Sequence, residues 1–131
     1  MLPADLEDFY TLCGGAELFS GALFSVRISS PDEFVLSNPV IIRERCDDIS
    51  GSWYIVGRGG DREFISTDLD PRRAGTCYDS FREIHGTPGH CAVVALSFTD
   101  LLERLLAARG GHWYWLEPGF VSLGDAYDTV R

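Results

Sequence analysis

Short strand-forming stretches alternate with turn-forming residues through the middle of the chain. Three of them, Trp53 to Val56, Phe64 to Leu69 and Thr76 to Asp79, contain aromatic or β-branched side chains. The residues 57–61 between the first two read Gly-Arg-Gly-Gly-Asp, which is typical of a tight hairpin turn. The residues 70–75 begin with Asp-Pro and end with Gly, which also favours a turn. The pattern predicts a sheet with hairpin connections.

Two amphipathic helices are predicted at the two ends of this strand region. Four residues near the start recur at helical spacing and are followed by a Gly-Gly stop: Leu6, Phe9, Tyr10 and Cys13. The second helix begins after Ser97, which suits an N-cap, and ends at Gly110. Its apolar stripe is formed by Phe98, Leu101, Leu102, Leu105 and Leu106.

The remaining elements are shorter. Strands are expected at Glu17 to Phe19 and at Leu23 to Ile28. Ser30-Pro31-Asp32-Glu33 has the pattern of a capping box, and the helix that it starts is expected to end at Asn38-Pro39. The apolar run Cys91 to Leu96 predicts a central strand, and the aromatic segment 109–131 is expected to pack back as a strand or an extended arm.

Composition limits the function classes. The chain has 131 residues, a formal net charge of −9, and no lysine among its eleven basic residues. A phosphate-binding P-loop and a Schiff-base enzyme both need lysine, and an acidic surface repels nucleic acid. No signal peptide and no membrane span are visible, so a single cytoplasmic domain over residues 1–131 is expected. Arginine in place of lysine indicates a GC-rich bacterial genome.

A catalytic or metal-binding reading has little support in the residue pattern. The cysteines at 13, 46, 77 and 91 form no C-x-x-C pair and are expected to be small buried side chains. His85, His90 and His112 could serve as bases or ligands, but loop histidines explain them better. Asp68 and Asp70 resemble part of a Mg²⁺ site, although turn-forming aspartates are favoured. We therefore expect no catalytic residues, no metal and no cofactor.

Three segments in this order resemble a known family. They are Leu2-Pro3-Ala4-Asp5-Leu6 with the following Gly14-Gly15, then residues 56–78 from Val-Gly-Arg-Gly-Gly-Asp to Gly-Thr-Cys-Tyr, and finally residues 94–102. This arrangement is similar to the SUKH superfamily of Smi/Knr-like domains. The resemblance covers residues 2–108, and the aromatic segment 109–131 lies outside it as a C-terminal extension.

The resemblance implies a fold and a function. It implies an α+β domain in which helices pack against a largely antiparallel sheet. Its bacterial members are mostly immunity proteins, which bind and neutralise a toxin such as a nuclease or deaminase. The acidity of this chain agrees with a basic toxin as the partner. The alternative is a regulatory or scaffolding domain that binds several partners weakly.

Two kinds of side chain are candidates for contact with such a partner. Turns hold carboxylates out of the core, where they can steer a basic protein, and tryptophan is enriched at the centre of interfaces. The candidate partner-binding residues are Asp47, Asp48, Trp53, Asp61, Glu63, Asp68, Asp70, Trp113 and Trp115.

Overall fold

In the described part of the chain, a six-stranded sheet and three α-helices form the domain. The computed structural model describes residues 2–21, 25–43, 48–60, 63–87, 89–110 and 113–128. The helices are α1 (Ala4–Leu12), α2 (Ser37–Ile41) and α3 (Phe98–Ala108). The strands are β1 (Ala16–Leu18), β2 (Val26–Ile28), β3 (Trp53–Arg58), β4 (Phe64–Asp68), β5 (Cys77–Asp79) and β6 (Val93–Ala95). Short 3₁₀ turns occupy Pro31–Glu33, Ile49–Ser52 and Tyr114–Leu116.

The strands lie in the sheet in the same order as in the chain. Each one pairs antiparallel with its neighbour in sequence, from β1 to β6. The hairpin between β3 and β4 is closed by Gly59 N–H, which donates to the Glu63 carbonyl at 2.8 Å. The prediction of an α+β fold with a largely antiparallel sheet is confirmed.

Both faces of the sheet are covered. Helices α1 and α3 lie on one face, where Leu6, Val56 and Leu101 are fully buried. On the other face, Trp53 and Tyr78 are fully buried in a cluster with Ala126 and Tyr127. Ala126 and Tyr127 belong to residues 113–128, which we call the C-terminal arm. Burial on both faces explains why β3 to β6 carry so few exposed side chains.

Helix α3 follows the predicted register with two exceptions. The Ser97 hydroxyl accepts a hydrogen bond from Asp100 N–H at 3.0 Å, which confirms the N-cap. Leu101 and Leu105 are buried, but Leu102 is only half-buried and Leu106 is 49% exposed. The buried stripe is therefore narrower than the sequence indicates and consists of Phe98, Leu101 and Leu105.

Two corrections concern the N-terminal half. Helix α1 ends at Leu12, so Cys13 is extended and exposed, contrary to the expected buried position. Asn38-Pro39 does not end a helix either, since both residues lie inside α2. Proline fits there because the first turn of a helix leaves its backbone N–H groups without intrahelical acceptors. Leu23, Phe24 and Cys46 fall outside the described residues.

Strand β6 is the last in the sheet order, so the prediction of a central strand is wrong. The edge of β6 that does not pair with β5 is covered by the C-terminal arm, where Val93 N–H donates to the Gly124 carbonyl at 2.9 Å. An isolated bridge also joins Ala92 to Asp125. The arm thus packs back along the sheet as expected, and this cover accounts for the continuous apolar character of β6.

In the part of the chain that the structure describes, no helix combines the length and the apolarity that crossing a bilayer requires.

The unequal burial along α3 can be tested by truncation. Leu101→Ala removes a fully buried side chain and should lower the free energy of unfolding by ~2–5 kcal/mol. Leu106→Ala, on the exposed side of the same helix, should change it by no more than ~0.5 kcal/mol. Urea unfolding followed by circular dichroism measures both, and equal losses would contradict the observed register.

Candidate functional site

The C-terminal arm places two tryptophans beside the β3–β4 hairpin. Trp113 and Trp115 stack with ring centroids 5.2 Å apart and planes inclined by 21°. Trp113 also packs on Gly59, where an added Cβ atom would lie 2.6 Å from the indole ring. Glycine at this position is therefore what allows the arm to approach the hairpin so closely.

Each indole N–H is directed to a carboxylate on the sheet. Trp113 Nε1 donates to Glu63 Oε2, and Trp115 Nε1 donates to Asp79 Oδ2 at 3.1 Å. Glu63 directly precedes β4, and Asp79 is paired with Ile65 across the β4–β5 ladder. Two acidic groups from neighbouring strands are thus held on one side of the sheet by two aromatic groups of the arm.

These residues line a groove of about 550 Å³, here called the tryptophan groove. Its volume lies in the range of pockets that accept small ligands or inserted side chains. Three parts of the chain contribute: the β3–β4 hairpin, the end of β5 with the turn that follows, and the arm. The lining residues are Gly59, Glu63, Phe64, Ile65, Asp79, Phe81, Ile84, Trp113, Trp115 and Leu116.

The electrostatics of the groove are set by Asp79. Burial raises the pKa of its carboxyl above the ordinary value, and the charge on Glu63 raises it further. Hydrogen bonds from Phe81 N–H, at 3.1 Å, and from the Trp115 indole oppose the shift in part. The groove therefore holds two carboxylates in mainly apolar surroundings, where negative charge is costly without a cation.

Asp68, a second candidate, is fully buried. Its carboxylate accepts hydrogen bonds from Ser52 Oγ at 2.6 Å, Tyr78 OH at 2.7 Å and Asp70 N–H at 2.9 Å. It also pairs with Arg73, whose Nε lies 2.9 Å away. Because every contact is internal, Asp68 is not available to a partner, which corrects its assignment as a surface carboxylate.

Asp70 and Trp53 lie beside Asp68. The Asp70 carboxylate binds the guanidinium groups of Arg72 and Arg73 at 3.0 and 3.1 Å. The hydrogen bonds from Arg72 hold the pKa of Asp70 well below its usual range. This confirms Asp70 as a turn-forming residue. Trp53 is fully buried with its ring centroid 4.3 Å from that of Tyr78, so it is a core residue and not an interface anchor.

Asp48 caps the 3₁₀ turn Ile49–Ser52 and ends a chain of polar contacts. Its carboxylate accepts from Ser50 N–H at 2.9 Å and from the hydroxyl of Tyr127, on the C-terminal arm, at 2.9 Å. Asn38 Nδ2 donates to Ser50 Oγ at 3.0 Å, and Asn38 Oδ1 lies 2.5 Å from His85 Nε2. These contacts fasten α2 and the arm to the same face of the sheet.

His85 lies in the turn after β5, in agreement with the interpretation as a loop histidine, but it is buried, with its ring centroid 5.5 Å from that of Trp53. Burial lowers the pKa of its imidazole to about 4, although the charge on Asp48 opposes the shift. His90 is exposed, and His112 lies outside the described residues.

The structure brings together only part of the predicted set. Glu63, Trp113 and Trp115 share the tryptophan groove, while Asp48 and the Asp68–Asp70 pair lie elsewhere. Asp47 and Asp61 fall outside the described residues. The sequence reasoning did not name the other seven lining residues as candidates, namely Gly59, Phe64, Ile65, Asp79, Phe81, Ile84 and Leu116. The signal for Asp79 in the sequence was its position as the last residue of the predicted strand Thr76 to Asp79.

The two buried cysteines of the described residues are poor nucleophiles. Burial raises the pKa of the Cys77 thiol to about 12 and that of Cys91 to about 11, so both are neutral near pH 7. Among the residues that the structure describes, no three His, Cys, Asp or Glu side chains are grouped so as to hold a metal ion. What the groove offers is an apolar, acidic recess suited to binding.

Loss of the Asp68 charge should weaken the fold. Asp68→Asn leaves the Arg73 guanidinium, whose side chain is only 15% exposed, without its closest anion, so the free energy of unfolding should fall by ~3–5 kcal/mol. The matched variant Asp70→Asn lies near the same arginine but in a more exposed position, and it should cost less. Chemical denaturation of the two variants measures both losses. An Asp70 variant as unstable as the Asp68 variant would contradict the larger role assigned to the buried carboxylate.

His85 should make the protein less stable in mild acid. Its pKa is about 4 when folded and near the ordinary 6.5 when unfolded, so the unfolded chain binds more protons between these values. Stability should therefore fall as the pH is lowered through this window, by ~2 kcal/mol between pH 7 and pH 5.

His85→Gln is the control for this effect, because its amide can still donate to Asn38 but does not titrate. Urea unfolding at pH 7 and pH 5 gives the measurement, and subtracting the variant removes the contribution of the carboxylates. If wild type and variant lost the same stability in acid, His85 would not be the titrating group.

Comparison with known proteins gives one curated relative. The immunity protein YokJ of Bacillus subtilis strain 168 is 51% identical over 131 residues, which cover 99% of this chain and 79% of the relative. No family model matches the chain, so the resemblance to the SUKH superfamily stays a prediction. No solved structure matches it either. Identity of this extent over nearly the whole chain shows common descent, and the protein therefore belongs to the family of the immunity protein YokJ.

Proposed function

We propose that this protein is an immunity protein that neutralises a cognate bacterial toxin by binding it directly. The observation that carries the proposal is the near full-length similarity to a protein named as an immunity protein. We further propose that the toxin is basic, that the complex forms in the cytoplasm, and that no reaction is catalysed by this chain.

The charge of the chain supports a basic partner. A net charge of −9 on 131 residues produces a long-range field that accelerates encounter with a cationic protein. The acidic surface need not be one patch, since exposed acidic residues occur from the start to the end of the described residues, for example Glu7, Asp32, Glu103 and Asp128. Neutralisation then depends on the off-rate, which is set by apolar contacts at the centre of the interface.

The tryptophan groove is the surface that we propose for the centre of this interface. It combines aromatic anchors with a recess, whereas Trp53 and Asp68 are fully buried and cannot contact a partner. Asp48 and Glu63 bind groups of their own chain, so reversing their charges would disturb the fold as well as any complex. Mutations that test electrostatic steering of the association should therefore be made at the exposed carboxylates.

The test is made with the product of the gene adjacent to the one that encodes this chain. Expression of that product alone should arrest growth, and co-expression of this protein should restore it through a complex that co-purifies at equal stoichiometry. Association measured by stopped flow should slow by about tenfold or more as salt rises from 10 mM to 150 mM.

The quadruple variant of Glu7, Asp8, Glu17 and Asp32 to their amides should lower the on-rate and reduce its salt dependence. Stability should change little, because these side chains are exposed. Protection without a physical complex, or no protection at all, would refute the proposal. Several partners bound with similar weak affinity would favour the scaffolding alternative.

A further inference from the structure

We infer that the tryptophan groove receives an arginine side chain of the toxin, held between the carboxylates of Glu63 and Asp79 and the aromatic walls. This inference rests on the proposed function and specifies the chemistry of the partner at the proposed surface. It concerns a binding contact, and no bond is made or broken.

Charge complementarity indicates a cation. Glu63 and Asp79 approach the groove from neighbouring strands, and burial together with the charge on Glu63 raises the pKa of Asp79. Each carboxylate can accept about four hydrogen bonds, of which the indoles and backbone N–H groups use part. A cation inserted there would gain hydrogen bonds to both carboxylates and would relieve their mutual repulsion.

The shape and lining of the groove favour arginine over lysine. A guanidinium is planar, presents a fork of N–H donors and stacks on aromatic rings, whereas an ammonium is compact and strongly hydrated. On Phe64, which lines the groove, the chain itself shows this contact: the guanidinium carbon of Arg58 lies 5.7 Å from the centre of the ring. An arginine from outside would meet further aromatic surface at Trp115 and Phe81, which are partly exposed, whereas Trp113 is only 7% exposed.

The mouth of the groove is accessible. Leu116 lines the groove and is 68% exposed, whereas the other lining residues are buried or half-buried. Such a residue at a rim is suited to contact the apolar part of an arginine side chain or its apolar neighbour in the toxin.

The first experiment tests the groove without the toxin. N-acetyl-arginine amide is titrated into the ¹⁵N-labelled protein, with the uncharged N-acetyl-citrulline amide as the control ligand. The indole N–H signals of Trp113 and Trp115 should shift and saturate, while the signal of Trp53, buried outside the groove, should stay in place. Citrulline should bind about tenfold more weakly because it lacks the charge.

The second experiment measures the affinity of the toxin for two variants that place opposite charges at the same exposed position. Leu116→Arg should weaken the complex by about tenfold or more, and Leu116→Glu should leave it intact or tighten it. Damage to the fold would weaken both, so opposite effects identify charge as the cause. The matched pair Leu12→Arg and Leu12→Glu, at a residue that is 85% exposed and outside the groove, should change affinity much less.

The results separate the two proposals. Equal shifts with arginine and citrulline, or equal effects of the two Leu116 variants on a complex that does form, would overturn the arginine contact and leave the immunity function standing. A toxin that does not bind the wild-type protein would overturn the function, and the titration with N-acetyl-arginine amide would still decide whether the groove prefers a guanidinium.

Discussion

The carboxylate of Asp68 organises the part of the domain where β3, β4 and β5 meet. Its position at the end of β4 brings it opposite Trp53, the first residue of β3, and its contacts reach the 3₁₀ turn before β3, the β4–β5 turn and the centre of β5. A buried anion is stable only when it is paired and fully hydrogen-bonded. The neighbouring elements are therefore held in the arrangement that supplies those donors, and this fixes the register of the hairpins that support the groove.

A second polar system complements it on the same face of the sheet. The Ser37 hydroxyl lies 2.8 Å from that of Ser66, which in turn lies 2.7 Å from that of Ser80. These buried serines belong to α2, to β4 and to the residue that follows β5. The contacts from His85 to Tyr127 then join this face to the C-terminal arm. Buried hydrogen-bond networks of this kind specify one packing arrangement more strictly than apolar contacts alone. The C-terminal end of the arm is thereby held against this face of the sheet.

Much of the architecture could be predicted because it depends on local rules. The N-cap at Ser97, the Gly-rich hairpin turn and the alternation of Val26, Arg27 and Ile28 each depend on a few adjacent residues. The chain order of the strands follows from short connections. By contrast, the exposure of Leu106 and the edge position of β6 depend on which element lies opposite, and helical or strand periodicity does not contain that information.

The candidate site was predictable only in fragments, for the same reason. Glu63, Trp113 and Trp115 were identified by residue type, but nothing in their spacing shows that they meet across fifty residues of chain. Asp68 looked like a surface carboxylate because aspartate before a turn usually is one, and its burial depends on donors that come from three other segments. The burial of His85 also depends on tertiary contacts, which the sequence pattern does not reveal.

The strand order has a consequence for the time at which the binding surface appears. Each strand pairs with the one made just before it, so the sheet can form progressively from local contacts with low loop-closure entropy. The groove cannot form in this way, because Trp115 is synthesised 36 residues after Asp79, to which its indole N–H donates. At ribosomal rates this interval lasts roughly 2–7 s. During synthesis, a nearly complete sheet therefore exists for seconds before the surface that we assign to the toxin is assembled on it.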